Sequence, residues 1–249
     1  MNLLVNLIRP LILLLVTGLL VQDVHAESLT LDIGDAGASF SGRLIQLFIV
    51  FTILSVAPSL IIMVTSFTRM VVVLSFLRSS MGLQQSPPNM VILSLAMFLT
   101  LFVMGPTFEK AYEEGIAPLV AEKISEEEAM QKAIEPFHGF MLKNVREKDL
   151  ALFMDLSKIK TVAEPKDTPL KVLIPAFMIS ELKRAFEIGF LIFIPFLIID
   201  LVIAAVLMSM GMMMLPPVMI SLPFKIIFFV LIDGWHLLCG SLVNSFVTG

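Results

Sequence analysis

The sequence predicts an all-α, multi-helix membrane-associated protein, with two long apolar helical hairpins on either side of a charged helical insert. Three observations predict it. Hydrophobic residues make up 57% of the 249 and charged residues only 15%, against about 45–50% and about 25% in soluble domains. The mean hydropathy is +0.95. The charges are also confined, because residues 109–187 hold 15 of the 21 acidic and 12 of the 17 basic side chains. A net charge of −4 gives no electrostatic reason to expect nucleic acid as a partner. The single cysteine, Cys239, cannot close a disulfide within the chain and reads as a buried residue of an apolar helix.

Residues 1–26 read as a signal peptide. Arg9 lies in a short n-region, an apolar run of about 11 residues follows, and Val24-His25-Ala26 resembles a small-residue cleavage site. Eleven residues rise only about 16 Å as a helix, too little for a bilayer core of about 30 Å. Residues 27–43 are acidic and contain glycine, and they read as an exposed linker.

The first apolar hairpin is placed at residues 44–108. Leu44–Thr68 carries no charge in 25 residues and Ser79–Phe108 none in 30; about 20 apolar residues suffice to span. Helix is the only open form that satisfies its own backbone in lipid. The arms meet at a joint, Arg78–Pro88, that contains Gly82 and ends in Pro87-Pro88. Arg69 and Arg78 flank this joint and no acid lies between Arg43 and Glu109, so the positive-inside rule puts it in the cytoplasm. The insert, residues 109–187, then falls in the periplasm.

The insert reads as helical. Ser125-Glu-Glu-Glu128 is a capping-box pattern opening a helix with Met130, Ala133 and Ile134 on one face. Asp149–Leu156 gives a second helix, and Thr161–Pro169, broken by two prolines, reads as a loop. The second apolar hairpin, residues 188–249, repeats the punctuation of the first. Its arms run past Asp200 and Asp233, and its joint is Gly211–Pro217, ending in Pro216-Pro217.

No phosphate-binding glycine loop, nucleophile elbow, HExxH or CxxC is present in the sequence. His25, His138 and His236 fall in three separate regions. No catalytic residue, cofactor or metal is therefore expected, and the chain reads as something other than an enzyme. Three features carry candidate function. The acids Asp200 and Asp233 lie with Lys225 in apolar surroundings, where a charge costs about 2.5–3.5 kcal/mol and normally faces protein or water. They fit an ion path, as in a small-solute or ion transporter, or a structural ion pair; the pair is the more economical reading. Glu181, Lys183, Arg184 and Glu187 are spaced to pair along one helix or to meet charges on another subunit. Met212, Met213 and Met214 sit in the Gly-Pro-Pro joint, where three consecutive side chains cannot all face lipid.

Five stretches resemble the FliP family, the core subunits of the flagellar type III export gate. They are PAFMISELKRAFEIGFLIFIPFLIIDLVIAAVLMSMGMMMLPP (Pro175–Pro217), TSFTRMVVVLSFLRSSMG (Thr65–Gly82), PPNMVILSLAMFLTLFVMGP (Pro87–Pro106), FMLKNVREKDLALF (Phe140–Phe153) and PFKIIFFVLIDGWHLLCGSL (Pro223–Leu242). The resemblance implies a ring of copies, pentameric in that family, joined by FliQ and FliR in the bacterial inner membrane at the flagellar basal body. It implies contacts with other export-apparatus proteins and conduction of unfolded flagellar proteins. It further implies that Met212, Met213 and Met214 act as a pore gasket, and that Glu181, Arg184, Glu187 and Lys225 include inter-subunit charges.

Overall fold

A computed structural model describes residues 40–159, 165–212 and 214–247. The signal peptide and most of the linker expected at residues 1–43 lie outside these residues, as do Met213, Lys160 and residues 161–164 of the expected loop. The chain divides into two units, residues 1–53 and 54–249. Among the described residues every regular element is helical.

Helix α1 (Phe40–Met63) takes in the last four residues assigned to the linker; Phe40–Arg43 contain no proline, so nothing stops the helix from reaching back through them. Its arm does not run to Thr68 as the apolar pattern suggested, because the helix breaks at Val64–Ser66. The Thr65 hydroxyl accepts a hydrogen bond from the Phe67 amide and donates to the Ile62 carbonyl. Serine and threonine offer the backbone this alternative to helix. A separate helix, α2 (Phe67–Ser80), then restarts. Its buried stripe of Met70, Val73, Leu74 and Leu77 has the three- and four-residue spacing of a core-facing helix.

Helix α3 (Asn89–Ala111) leads through a π turn (Tyr112–Ile116) into the short α4 (Ala117–Val120). Ser125 caps α5 (Glu126–Asn144), its hydroxyl accepting from the Glu128 amide at 3.3 Å, as the capping-box pattern required. Helix α6 (Glu147–Leu156) follows, then a single 3-10 turn at Pro165–Asp167.

Helix α7 (Leu170–Ser209) is 40 residues long, about 60 Å. The boundary expected between insert and second hairpin, at 187/188, falls inside it. A change from charged to apolar composition is not a helix stop, and no glycine-proline punctuation lies there. Pro175 and Pro195 are both accommodated within the helix. Helices α8 (Pro217–Leu231) and α9 (Gly234–Val247) form the last arm. They are bent by 64° at Asp233, which takes a left-handed φ of 51°, a conformation aspartate tolerates better than most residues.

Three helical stretches have the length and apolarity to cross a membrane, at Leu44–Met63, Asn89–Val120 and Leu170–Ser209, and the bent α8–α9 pair is a fourth candidate. In the second unit, α7 is the organising rod, with α2 packed most extensively on it and α5, α6 and α8 also against it. Gly189 lets α2 approach, because a Cβ there would lie 2.7 Å from the Phe76 ring. One core gathers Met70, Leu74, Leu77, Ala185, Phe196 and Leu242; a second, smaller one holds Met141, Leu173 and Phe177.

The two joints share one backbone device. In the first, the Gly82 amide donates to the Ser79 carbonyl and the Leu83 amide to that of Arg78. In the second, the Gly211 amide donates to Met208 and the Met212 amide to Leu207. Both glycines have φ near +75°, at 77° and 75°. Each is a Schellman motif, which closes the orphan carbonyls of a helix end and favours glycine. Pro88 and Pro216 then precede the first residue of the following helices.

Candidate functional site

Two charged clusters and one loop hold the candidate residues. The first cluster is centred on Arg69, in the opening turn of α2. Its Nε donates to Glu181 Oε2 at 2.8 Å and its Nη2 to Oε1 at 2.5 Å. Its Nη1 donates to the Ser245 hydroxyl at 2.9 Å and carbonyl at 3.2 Å, and its guanidinium lies 3.5 Å over the Phe246 ring. Both charged side chains are 0% exposed. The planar fork matches a carboxylate and the ring face attracts a cation, so one buried arginine ties α2, α7 and α9 together. Glu181, expected to meet another subunit, is therefore paired inside its own chain. In the sequence Arg69 signals only a charge near a joint; an arginine amid apolar residues needs a carboxylate, but no spacing singles out Glu181.

The second cluster joins α2, α7 and α8. Lys225 Nζ donates to Asp200 Oδ2 at 2.7 Å and to the Ser80 carbonyl at 3.2 Å. The Ser221 hydroxyl donates to Asp200 Oδ1 at 2.6 Å. Lys225 thus sits at the C-terminus of α2, where a cation meets the negative end of the helix dipole. Asp200 is the acid of a structural pair, and Lys225 too is paired within its own chain. Asp233 is not buried as expected. The bend that places it in left-handed conformation turns it to the surface, and among the described residues no hydrogen bond or ion pair joins it to the Asp200 cluster.

The ladder on α7 is only partly formed. Lys183 pairs with Glu187. Arg184 makes no direct hydrogen bond to Glu181 or Glu187, which Arg69 and Lys183 engage, but its charge acts on both carboxylates.

In the insert, Asp149 accepts from Arg146 at 2.7 and 2.9 Å and from the Ser180 hydroxyl at 2.7 Å, fastening α6 to α7. Burial opposes its charge, but hydrogen bonds from Arg146 and Ser180 and the charges of Arg146 and Lys148 outweigh it, holding the carboxyl below its ordinary range. A depressed carboxylate stabilises the fold above the unfolded value, about 3.9 for aspartate, and this contribution disappears as pH falls through the folded value. The Asp149→Asn variant is accordingly expected to lose stability at neutral pH and to approach the unsubstituted protein as pH drops below about 4. Denaturation midpoints across pH 3–7 check it; a constant gap between the two proteins would contradict it.

The methionine loop differs from the first joint in one respect. There Arg78 Nη1 donates to Asn89 Oδ1 at 2.5 Å and to the Pro87 carbonyl at 3.4 Å, tying the two sides. In the second joint the arms are tied by Ser221 and Lys225 of α8 on Asp200 of α7, and among the described residues no side-chain hydrogen bond involves residues 211–217 themselves. Met214 is 98% exposed and Met212 43%.

This is a helical membrane protein whose apolar hairpins are pinned by charge pairs and whose second joint exposes Met212 and Met214. Comparison with known proteins gives the particular family. A profile of the FliP family matches residues 50–242. The flagellar biosynthetic protein FliP of Caulobacter vibrioides is 61% identical over 213 residues, covering 86% of this chain and 80% of the relative. That of Rhizobium meliloti is 54% identical over 228 residues, covering 91% and 92%, and that of Bacillus subtilis 58% identical over 202 residues, covering 81% and 91%. The chain belongs to the FliP family.

Proposed function

We propose that this protein acts in flagellum biogenesis as a pore-forming core subunit of the type III export gate, conducting unfolded flagellar proteins across the inner membrane. It works as a ring with FliQ and FliR, its insert in the periplasm, and it has no catalytic role. Family membership supports the flagellar assignment. The observation that carries the pore is the second joint, where Met212 and Met214 are exposed on a loop in which no described residue makes a side-chain hydrogen bond. An export channel must pass chains of varied side chains and still hold ions back when idle. Methionine has three rotatable side-chain torsions and a polarizable sulfur, so Met212, Met213 and Met214 close by dispersion contacts and yield to an entering chain. Gly211 and Pro216-Pro217 keep the loop off regular helix. Replacing all three methionines by alanine is expected to raise ion leakage several-fold while export continues or falls modestly, with leucine milder than alanine. Ion conductance and flagellar export measured in the same cells test this. A triple alanine variant that assembles and stays ion-tight would refute the gasket.

A further inference from the structure

The second joint carries sulfur that water can reach. Met214 is 98% exposed and Met212 43%, whereas Met70, Met104 and Met141 are at most 1% exposed. Residues 188–209 of α7 supply 22 residues, about 33 Å of helix against about 30 Å of hydrocarbon. The joint that follows therefore emerges beyond the acyl region, where its thioethers meet small polar oxidants dissolved in water.

The same joint is poor in hydrogen-bond donors. Residues 211–217, Gly-Met-Met-Met-Leu-Pro-Pro, carry no donor side chain, and Pro216 and Pro217 have no amide. The Gly211, Met212 and Leu215 amides already donate to the Met208, Leu207 and Met212 carbonyls. A thioether tolerates such surroundings, because its sulfur is only a weak acceptor. A sulfoxide is polar, and in this loop its oxygen must take its hydrogen bonds from water. Burying it against other methionines without a partner is disfavoured, so an oxidised loop stays wet.

We propose that Met212 and Met214 are sites of reversible oxidation to methionine sulfoxide by hydrogen peroxide, and that this modification opens the closed loop to water and ions. One peroxide oxygen is transferred to the sulfur; the S–O bond forms as the O–O bond breaks. Sulfur loses two electrons, and the second oxygen leaves as water after taking the remaining peroxide proton. Methionine sulfoxide reductases reverse the step, a dithiol being oxidised to a disulfide as the oxygen departs in water. The oxidation stands on exposure; the opening rests on the methionine seal proposed above.

The first arm of the test treats the full chain in lipid nanodiscs with hydrogen peroxide and maps added oxygen by peptide mass spectrometry. Met212 and Met214 are expected to be oxidised several-fold faster than Met70, Met104 and Met141, and to return to thioether with the two reductases and a dithiol. Joint methionines oxidised no faster than the buried ones would overturn the proposal. The second arm measures ion conductance in cells carrying the assembled gate, before and after peroxide. A several-fold rise is expected, absent when Met212, Met213 and Met214 are all leucine, which has no sulfur to oxidise. Met130, 65% exposed on α5 of the insert, serves as the control: Met130→Leu is expected to leave the rise intact. A rise that persists in the triple leucine variant would place the leak elsewhere and overturn the proposal. The seal and the switch fail separately. A triple alanine variant that stays ion-tight refutes the seal and the opening with it, whereas a leaky alanine variant beside an oxidised gate that stays tight overturns only the switch.

Discussion

Glu181→Ala is expected to lower the free energy of unfolding by about 3–5 kcal/mol, the largest single-site loss in the molecule. The substitution leaves the Arg69 guanidinium 0% exposed, with only Ser245 and the Phe246 ring for partners. The cost arises mostly from that stranded charge, since the pair itself gives little net stability over apolar replacements of similar size. Arg69→Met combined with Glu181→Leu is therefore expected to recover most of the loss. Titrating the detergent-solubilised protein with dodecyl sulfate while following helicity measures both variants. A Glu181→Ala loss below about 1 kcal/mol, the scale of an exposed pair, would show that water reaches Arg69.

The second large effect is an asymmetry between the partners of the other pair. Asp200→Ala leaves Lys225 with a side chain 4% exposed and only the Ser80 carbonyl to receive its charge, and is expected to cost about 3 kcal/mol or more. Lys225→Met leaves an aspartate that is 30% exposed and still accepts from Ser221, so water and the hydroxyl limit the loss to about 1–2 kcal/mol. The same dodecyl sulfate titration, completed with the double variant as a mutant cycle, separates pair energy from stranded-charge cost. Equal losses for the two single variants would mean that Lys225 is as wet as Asp200.

Much of the fold follows from local chemistry and was legible in the residues. Apolar runs of 25 and 30 residues without charge leave helix as the form that satisfies its backbone in lipid, and α1 and α3 lie in these runs. Ser125 and Glu128 marked the start of α5. The two glycine–proline-proline joints marked both tight reversals, because a left-handed C-terminal residue and a residue without an amide leave a helix few ways to continue. The break at Thr65-Ser66 rests on the Thr65 hydroxyl, a weak competitor for backbone groups that is easily passed over in an apolar window.

What the sequence by itself determined is therefore the helical membrane class, its reversals and the residues that hallmark the FliP family. Only the tertiary structure decided which charges meet. Spacing along one helix shows that Glu181 is within reach of Arg184, but Glu181 instead binds an arginine 112 positions away, brought there when α2 packed on α7 through Gly189. Lys225 likewise found Asp200 and the end of α2. Asp233 went to the surface because a left-handed residue bent the last arm by 64°. A desolvated charge takes the partner that offers the best geometry in three dimensions, and sequence separation does not enter that energy.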